Sequence, residues 1–227
     1  MSKAYQVVGI GNAVSDVIAT SSDEFLIENG VEKGIMQLVD QPRAEALFSA
    51  MGSRTETPGG SVANTIAGLG SLGLRTAFIG RVADDDLGHS YALAMQTQGT
   101  DFPNPPVPNA GLPTSRSMIF VSPDGERSMN TYLGISSDLG PEDVSDEVIR
   151  DCEILFLEGY LFDKAPGKEA FRKAASLAQQ SGARAGISLS DPFCVDRHRD
   201  DFRALVSGPL DFFLCNEEEL KSLYQTD

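Results

Sequence analysis

One carboxylate near the N-terminus is placed where it could bind a polyol. Asp16 lies a few residues after the short apolar run of residues 6–10, which predicts a β-strand. A carboxylate just past the carboxyl end of a strand lies where open α/β sheets bind ligands. An ionised aspartate accepts two hydroxyl hydrogen bonds at once, which suits a ribose or another polyol. A solvated turn aspartate is an equally good interpretation on local evidence alone.

A glycine-rich segment further along the chain could bind a small polar ligand. Gly59 and Gly60 directly precede a helical pattern, and Ser61 and Asn64 fall within its first turn. Backbone N–H groups at the start of a helix lack partners within the helix and lie at its positive end. The alternative is purely structural, namely a Gly-Gly turn followed by a serine N-cap.

Two common nucleotide-binding fingerprints do not occur. Gly9 and Gly11 could begin a dinucleotide-binding motif, but Val14 stands at the position of its third glycine. No segment matches G-x-x-x-x-G-K-[ST], the phosphate-binding P-loop. The sequence therefore argues against both of these nucleotide-binding classes.

Acidic residues precede or begin several of the predicted helices. Asp84-Asp85-Asp86 and Asp191 are interpreted as helix caps, because carboxylates oppose the positive end of a helix. Asn216 and Glu219 are three residues apart and therefore share one helix face. This pair could hold a hydrated Mg²⁺ near a phosphate, or it could simply cap its helix.

The elements that must position these residues alternate along the chain. Short runs that are apolar on both faces predict strands at residues 6–10, 76–82, 153–157, 185–189 and 212–215. Amphipathic runs predict helices at residues 42–51, 61–72, 86–98, 167–181 and 196–206. Strands that alternate with helices predict an α/β fold, in which helices cover a mainly parallel sheet.

Two segments break this alternation. Residues 34–40 and 117–133 are typical of exposed strands, and Pro123-Asp124-Gly125 predicts a turn inside the second segment. A hairpin inserted into an α/β core is usually a flap over a site or an edge used for association. We therefore expect a small β-structure beside the main sheet.

Composition narrows the classes of function. The 227 residues carry 18 Lys+Arg and 33 Asp+Glu, which gives a formal net charge of −15. This charge argues against nucleic acid or an anionic membrane surface as a partner. The sequence shows neither a membrane-spanning stretch nor a signal-peptide pattern, so a cytoplasmic location is expected. Three widely separated cysteines predict neither a disulfide framework nor a zinc site.

Together these segments resemble the ribokinase-type carbohydrate kinases, also called the PfkB family, and among them most the adenosine-kinase-like members. The resemblance covers essentially the whole chain. It rests on four motifs in order. The first is residues 11–16, and the second is residues 59–64 followed by Gly73, Gly80 and residues 85–88. The third is residues 123–134, and the fourth is Asn216 with Glu219. It implies a ribokinase-like three-layer α/β/α domain over residues 1–227, with a small β-lid from about residues 17–40 and 112–136.

The resemblance also implies a reaction, which is transfer of the γ-phosphoryl group of ATP to a primary hydroxyl of a nucleoside or sugar. The implied substrate-binding residues are Asn12, Asp16, Gly59, Gly60, Ser61 and Asn64. Asn216 and Glu219 would serve the MgATP cofactor, and Glu219 would place the Mg²⁺. Closure of the lid would exclude water, and lid strands of this family often pair between subunits, which would make the protein a homodimer.

One family motif is missing. The G-A-G-D segment, which supplies the anion hole and the catalytic base in the family, does not occur in residues 1–227. The chain is therefore expected to be the acceptor half of a longer kinase, inactive by itself and without a catalytic residue of its own. Adenosine is the preferred acceptor, and a fructokinase- or ribokinase-type sugar or a 2-keto-sugar acid is the alternative. A non-catalytic module that binds a ribosyl ligand is the alternative of another class.

Overall fold

The computed structural model describes residues 3–226, which form eleven strands and eight α-helices. The strands are β1 (Tyr5–Ile10), β2 (Val14–Thr20), β3 (Met36–Leu38), β4 (Arg54–Gly59), β5 (Thr76–Ile79), β6 (Thr100–Asp101), β7 (Ser115–Val121), β8 (Arg127–Tyr132), β9 (Cys152–Glu158), β10 (Arg184–Ser188) and β11 (Phe212–Leu214). The helices are α1 (Asp23–Glu28), α2 (Gln41–Ala50), α3 (Ser61–Ser71), α4 (Asp86–Thr97), α5 (Asp146–Arg150), α6 (Ala165–Ser181), α7 (Pro192–Val206) and α8 (Glu217–Tyr224).

The main sheet has the strand order β11-β10-β9-β1-β5-β6, and every neighbouring pair is parallel. The chain runs outward from β1 through β5 and β6, and then returns to build β9, β10 and β11 on the other side of β1. The strand order therefore reverses between β1 and β9. In an open α/β sheet this reversal opens a crevice at the carboxyl ends of the strands, where ligands bind.

Helices cover both faces of the main sheet. On one face α3 and α4 contribute Val62, Ile66, Tyr91 and Met95, which pack with Val7, Phe78 and Phe156 of the sheet. On the other face α5 to α8 contribute residues such as Phe171, Phe202 and Leu223, which pack with Val8, Ile10 and Leu155. The central strands are apolar on both sides because both sides are buried. The structure confirms the predicted three-layer α/β/α fold with its mainly parallel sheet.

A second sheet has the order β3-β8-β7-β2-β4 and mixes parallel with antiparallel pairs. Helices α1 and α2 cover one of its faces, where Val17, Ala19, Met118 and Phe120 pack with Leu26 and Leu47. Because side chains alternate along a strand, Asp16 and Ile18 of β2 point to the opposite face. We call this second sheet with α1 and α2 the lid.

The lid contains the two segments that the sequence predicted as separate β-structure, and it also contains β4, which the sequence analysis did not identify. The β4 sequence Arg-Thr-Glu-Thr-Pro-Gly is polar and contains Pro58, so it lacks the alternation of a half-buried strand. It forms because β4 is an edge strand, which needs hydrogen bonds on one side only and tolerates proline there. Within residues 3–226 no helix combines the length and the apolar character that a bilayer span requires. The three cysteines, Cys152, Cys194 and Cys215, are free thiols.

Candidate functional site

Asp16 lies in the middle of β2, between β4 and β7, and not in a solvated turn. Its side chain is only partly exposed, and burial raises its pKa from 3.8 to about 6, while the positive charge of Arg127 on the lid opposes this rise. The alternative of an ordinary turn aspartate is therefore wrong. A carboxylate kept in a half-buried position, at a cost in hydration, is typical of a binding group.

Gly59 makes room for this carboxylate. A Cβ atom at Gly59 would lie 2.4 Å from Asp16 Cγ, closer than any real contact. Tyr91 of α4 also fixes Gly59, because its buried hydroxyl donates to the Gly59 carbonyl oxygen at 3.0 Å. Burial, together with the nearby carboxylates of Glu158 and Asp16, raises the Tyr91 pKa well above its ordinary value, so the hydroxyl stays protonated and remains a donor.

Gly60 is the N-cap residue of α3 and adopts φ 105°, a conformation that favours glycine. A Cβ atom there would lie 2.3 Å from the carbonyl oxygen of Asn12, so the β1–β2 connection packs directly on the start of α3. Ser61 is the first helical residue and not the N-cap, contrary to the structural alternative for this segment. Ser61 and Asn64 are both exposed and lie on one face of the first turn of α3.

Glu158, which the sequence analysis did not identify, joins these segments. It ends β9 and is 1% exposed. Its Oε1 accepts from the Asn12 side chain at 2.8 Å and from the Asn12 backbone N–H at 3.2 Å, and its Oε2 accepts from Val62 N–H at 3.1 Å. Burial raises the Glu158 pKa, and these three hydrogen bonds oppose the rise. Gly11 leaves the space for its carboxylate, since a Cβ atom there would lie 2.5 Å from Oε2.

A signal for Glu158 was present in the sequence. The residue directly follows the predicted strand of residues 153–157, just as Asp16 follows the first predicted strand. The sheet topology then places Glu158 at the ligand-binding crevice, because β9 and β1 flank the point where the strand order reverses. Asp16 and Gly59 of the lid thus meet Asn12, Gly60 and Glu158 at one end of the main sheet. This arrangement offers carboxylate and amide groups to the hydroxyls of a small ligand.

Asn216 and Glu219 lie apart from this group, at the start of α8. They form a reciprocal capping box, in which Glu219 N–H donates to Asn216 Oδ1 at 2.8 Å and Asn216 N–H donates to Glu219 Oε2 at 3.1 Å. Burial raises the Glu219 pKa, whereas its hydrogen bond with Asn216 lowers it and the charge of Asp191 raises it further. Because β9 and β10 separate β1 from β11, the pair lies about 14 Å across the sheet from β1, at roughly 4.8 Å per strand.

The residues present fit a hydrated Mg²⁺ better than one coordinated fully by protein. The Asn216 side chain also donates to Glu219 Oε1 at 2.9 Å, so both carboxylate oxygens are engaged within the box. Within residues 3–226 no three His, Cys, Asp or Glu side chains gather closely enough to hold a metal ion. Magnesium in phosphoryl-transfer sites usually keeps several waters and takes one or two carboxylates together with substrate phosphates. Glu219 can serve as such a carboxylate.

Asp85 and Asp191 cap helices as the sequence predicted, whereas Asp84 does not. Asp85 is the N-cap of α4 and accepts from Gly88 N–H at 2.7 Å, and Asp191 is the N-cap of α7 and accepts from Cys194 N–H at 2.6 Å. Asp84 contacts His89 at 2.7 Å on the surface. Asp85 and Asp191 therefore stabilise helix starts.

A family model described as pfkB family carbohydrate kinase matches residues 36–227. Among characterised relatives, the 5-dehydro-2-deoxygluconokinase of Halalkalibacterium halodurans is 33% identical over 170 residues, which covers 73% of this chain and 51% of that protein. Probable fructokinase-3 of Arabidopsis thaliana is 31% identical over 130 residues, covering 56% of this chain and 37% of that protein. The chain thus spans about half, or less, of the length of these curated relatives.

Solved structures extend the similarity to the whole chain. A probable sugar kinase from Rhizobium etli CFN 42 is 45% identical with a TM-score of 0.89, and the adenosine kinase from Sinorhizobium meliloti is 47% identical with a TM-score of 0.88. Each match covers 99% of this chain and 68% of the solved chain. The adenosine kinase of Anopheles gambiae shares the fold at 20% identity and a TM-score of 0.82.

Proposed function

Because the chain belongs to the PfkB family of carbohydrate kinases, we propose that the protein transfers the γ-phosphoryl group of ATP to a primary hydroxyl of a nucleoside or sugar. The observation that carries this proposal is the half-buried Asp16 carboxylate, packed on Gly59 beside the N-terminus of α3. Phosphoryl transfer demands mainly positioning and charge stabilisation from a protein. A carboxylate fixed in a strand of the lid supplies the first of these.

In this proposal the acceptor lies between the lid and the carboxyl end of β1. Asp16 accepts hydrogen bonds from two acceptor hydroxyls, and Gly59 and Gly60 allow the ligand to approach the backbone closely. Ser61 and Asn64 contribute exposed polar groups from α3. Asn12 orders the floor of the site through its hydrogen bonds with Glu158. Closure of the lid over the acceptor excludes water, which would otherwise compete as phosphoryl acceptor.

The donor belongs in this proposal at the opposite side of the crevice. Asn216 and Glu219 would hold a hydrated Mg²⁺, with Glu219 as the carboxylate. When bound, Mg²⁺ neutralises charge on the ATP phosphates. This contribution is needed because the chain has a formal net charge of −15 and the start of α8 carries Glu217, Glu218 and Glu219 in succession.

We favour a nucleoside, adenosine, as the acceptor, and the lid face that carries Asp16 supports this choice. Residues paired across neighbouring strands share a face, so the row through Asp16 contains Thr57, Ser117, Thr131 and Leu38. The adjacent row is mostly apolar and contains Thr55, Ile18, Ile119, Met129 and Met36. A polar row beside an apolar row suits a ribose joined to an aromatic base. The 47% identity to an adenosine kinase agrees with it.

A substrate panel tests this function on the natural polypeptide in which the chain occurs. We expect ADP release with MgATP and adenosine, and much weaker release with fructose, ribose or 5-dehydro-2-deoxygluconate. Turnover with a sugar but not with adenosine would support the fructokinase-type or sugar-acid alternative. Saturable binding of adenosine without ADP formation would instead favour the non-catalytic binding module. A protein that neither binds nor phosphorylates any of these compounds would overturn the assignment.

We further propose that two copies associate through their lids. Strand β3 is an edge strand of the lid, and its Met36 and Leu38 side chains are 40% and 57% exposed. An edge strand with exposed apolar residues readily pairs with another chain. Sedimentation should therefore show a dimer that Leu38→Lys converts to a monomer, whereas Leu72→Lys on the outer surface of the main domain should leave it intact. A monomeric wild-type protein would refute the proposal.

A further inference from the structure

A buried serine is hydrogen-bonded to the floor of the proposed acceptor site. Ser136 is 0% exposed and lies in the short 3-10 turn Gly134–Asp138, directly after lid strand β8. Its hydroxyl lies 3.1 Å from Oδ1 of Asn12, which is 124 positions earlier in the sequence. The turn itself is tightly fixed, because Gly134 adopts φ 46° and a Cβ atom there would lie 2.3 Å from the Pro113 carbonyl oxygen.

The contact extends into a chain of hydrogen bonds that ends beside α3. Ser136 faces the oxygen of the Asn12 carboxamide, and the nitrogen of the same carboxamide donates to Glu158 Oε1 at 2.8 Å. The other carboxylate oxygen of Glu158 accepts from Val62 N–H at 3.1 Å. Asn12 is 3% exposed and Glu158 is 1% exposed, so water does not replace these partners readily.

The donor and acceptor groups of these residues set the direction of each hydrogen bond. Both Glu158 carboxyl oxygens accept from backbone N–H groups, Oε1 from Asn12 and Oε2 from Val62, so Oε1 faces the nitrogen end of the Asn12 carboxamide. The oxygen end then needs a donor, and the Ser136 hydroxyl is that donor. Its single proton is shared with the Leu133 carbonyl oxygen at 2.7 Å. Without the hydroxyl the Asn12 oxygen would be buried without a partner, which is unfavourable.

We propose that Ser136 is a positioning residue, whose hydroxyl holds the Asn12 carboxamide in the orientation that keeps Glu158 in place at the acceptor site. This proposal rests on the proposed function, since the site it serves is the acceptor site. Ser136 touches neither substrate nor cofactor and acts only through Asn12. Its position after β8 links the end of a lid strand to the floor of the site through side chains, in addition to the backbone.

The first test does not depend on any acceptor. In the natural polypeptide, the side-chain amide signals of Asn12 are identified in a ¹⁵N correlation spectrum by their loss in Asn12→Ala. We expect these protons to exchange slowly in the wild type and at least about tenfold faster in Ser136→Ala. Ser137→Ala is the matched control, because the Ser137 hydroxyl in the same turn donates only to the Gly134 carbonyl oxygen at 3.1 Å. Unchanged exchange in Ser136→Ala would overturn the proposal, whatever the acceptor proves to be.

The second test is a double-mutant cycle on acceptor affinity in the natural polypeptide. Ser136→Ala should weaken adenosine binding by about five- to tenfold, as expected for one buried hydrogen bond, with a larger effect on KM than on kcat. In an Asn12→Ala background the same substitution should have no further effect, because Ser136 acts through Asn12. Additive effects would show a general structural role and contradict the proposal. Absence of binding by the wild type would contradict the proposed function instead, and the amide exchange would still decide the role of Ser136.

Discussion

At the scale of single residues, Asp16 illustrates the energetic cost of a binding group. Its carboxylate is ionised at neutral pH although burial raises its pKa to about 6. None of the hydrogen bonds among the described residues involves its side chain, so nothing but Arg127 offsets the lost hydration. Such a group destabilises the folded protein and is retained for a function.

We predict that Asp16→Asn stabilises the protein at neutral pH while it weakens acceptor binding. The folded pKa lies about 2 units above 3.8, so removal of the charge should raise the free energy of unfolding at pH 7 by at most about 3 kcal/mol. Because ionisation opposes folding, wild-type stability falls as the pH rises from about 4 to about 6. The difference in the free energy of unfolding between variant and wild type should therefore grow over this pH interval and stay constant above it.

Thermal unfolding between pH 4 and pH 8 measures this gap, and calorimetry with adenosine measures the loss of binding. Asp200→Asn is the control, because Asp200 carries the same charge on an exposed surface. Its substitution should change the free energy of unfolding far less than Asp16→Asn does. An Asp16→Asn variant that is less stable than the wild type at pH 7, or a gap that is independent of pH, would contradict the assignment of a destabilising carboxylate.

At the scale of elements, one helix cap also anchors the lid to the main domain. Asp85 caps α4, and its two carboxylate oxygens also accept from Thr114 N–H at 2.9 Å and from the Thr114 hydroxyl at 2.7 Å. Thr114 directly precedes lid strand β7, is 1% exposed, and accepts in turn from Ala83 N–H at 2.9 Å. The N-cap of α4 and the residue that precedes lid strand β7 therefore depend on one carboxylate, that of Asp85.

We predict that Asp85→Ala lowers the free energy of unfolding by about 2–4 kcal/mol, because it removes a helix cap and leaves buried Thr114 donors without a partner. The neighbouring Asp84 offers a matched control, since its contact with His89 is exposed. Asp84→Ala should cost less than about 1 kcal/mol. Urea unfolding of both variants measures the difference, and similar losses in the two variants would show that the Thr114 contacts contribute nothing.

At the scale of the whole molecule, the candidate site has two ends on one sheet. The acceptor end lies beside β1, and the capping box of Asn216 and Glu219 follows β11, three strands away. A separation of about 14 Å is well beyond hydrogen-bond and ion-pair distance. The two ends should therefore bind their ligands almost independently.

We predict that Glu219→Gln leaves the dissociation constant of adenosine within about twofold of the wild-type value, since distant sites act additively. In the natural polypeptide the same variant should require more Mg²⁺ for half-maximal turnover. Glu217→Gln removes an exposed charge from the same helical turn and should change neither property. Calorimetry and a magnesium titration of ADP release make the measurements. A tenfold loss of adenosine affinity in Glu219→Gln would contradict the separation of the two ends.

Much of this architecture was predictable from the sequence, and particular residues show which features were not. The strands at residues 6–10, 153–157 and 185–189 were predicted nearly at their observed bounds, because runs that are apolar on both faces are local patterns. Strand β4 was missed because its residues are polar and the strand it pairs with, β2, is distant in sequence. Ser61 was expected as a cap in one interpretation, but the backbone of Gly60 takes that position.

The sequence by itself determined the α/β class, the family resemblance and the two groups of candidate residues, because periodicity and glycine spacing are properties of short segments. Only the tertiary structure decided that Asp16 is half buried in a strand, and that Glu158 and Ser136 meet at Asn12. These residues are 146 and 124 positions from Asn12. The physical reason is that burial and hydrogen-bond partners depend on how whole layers pack, which no local pattern records.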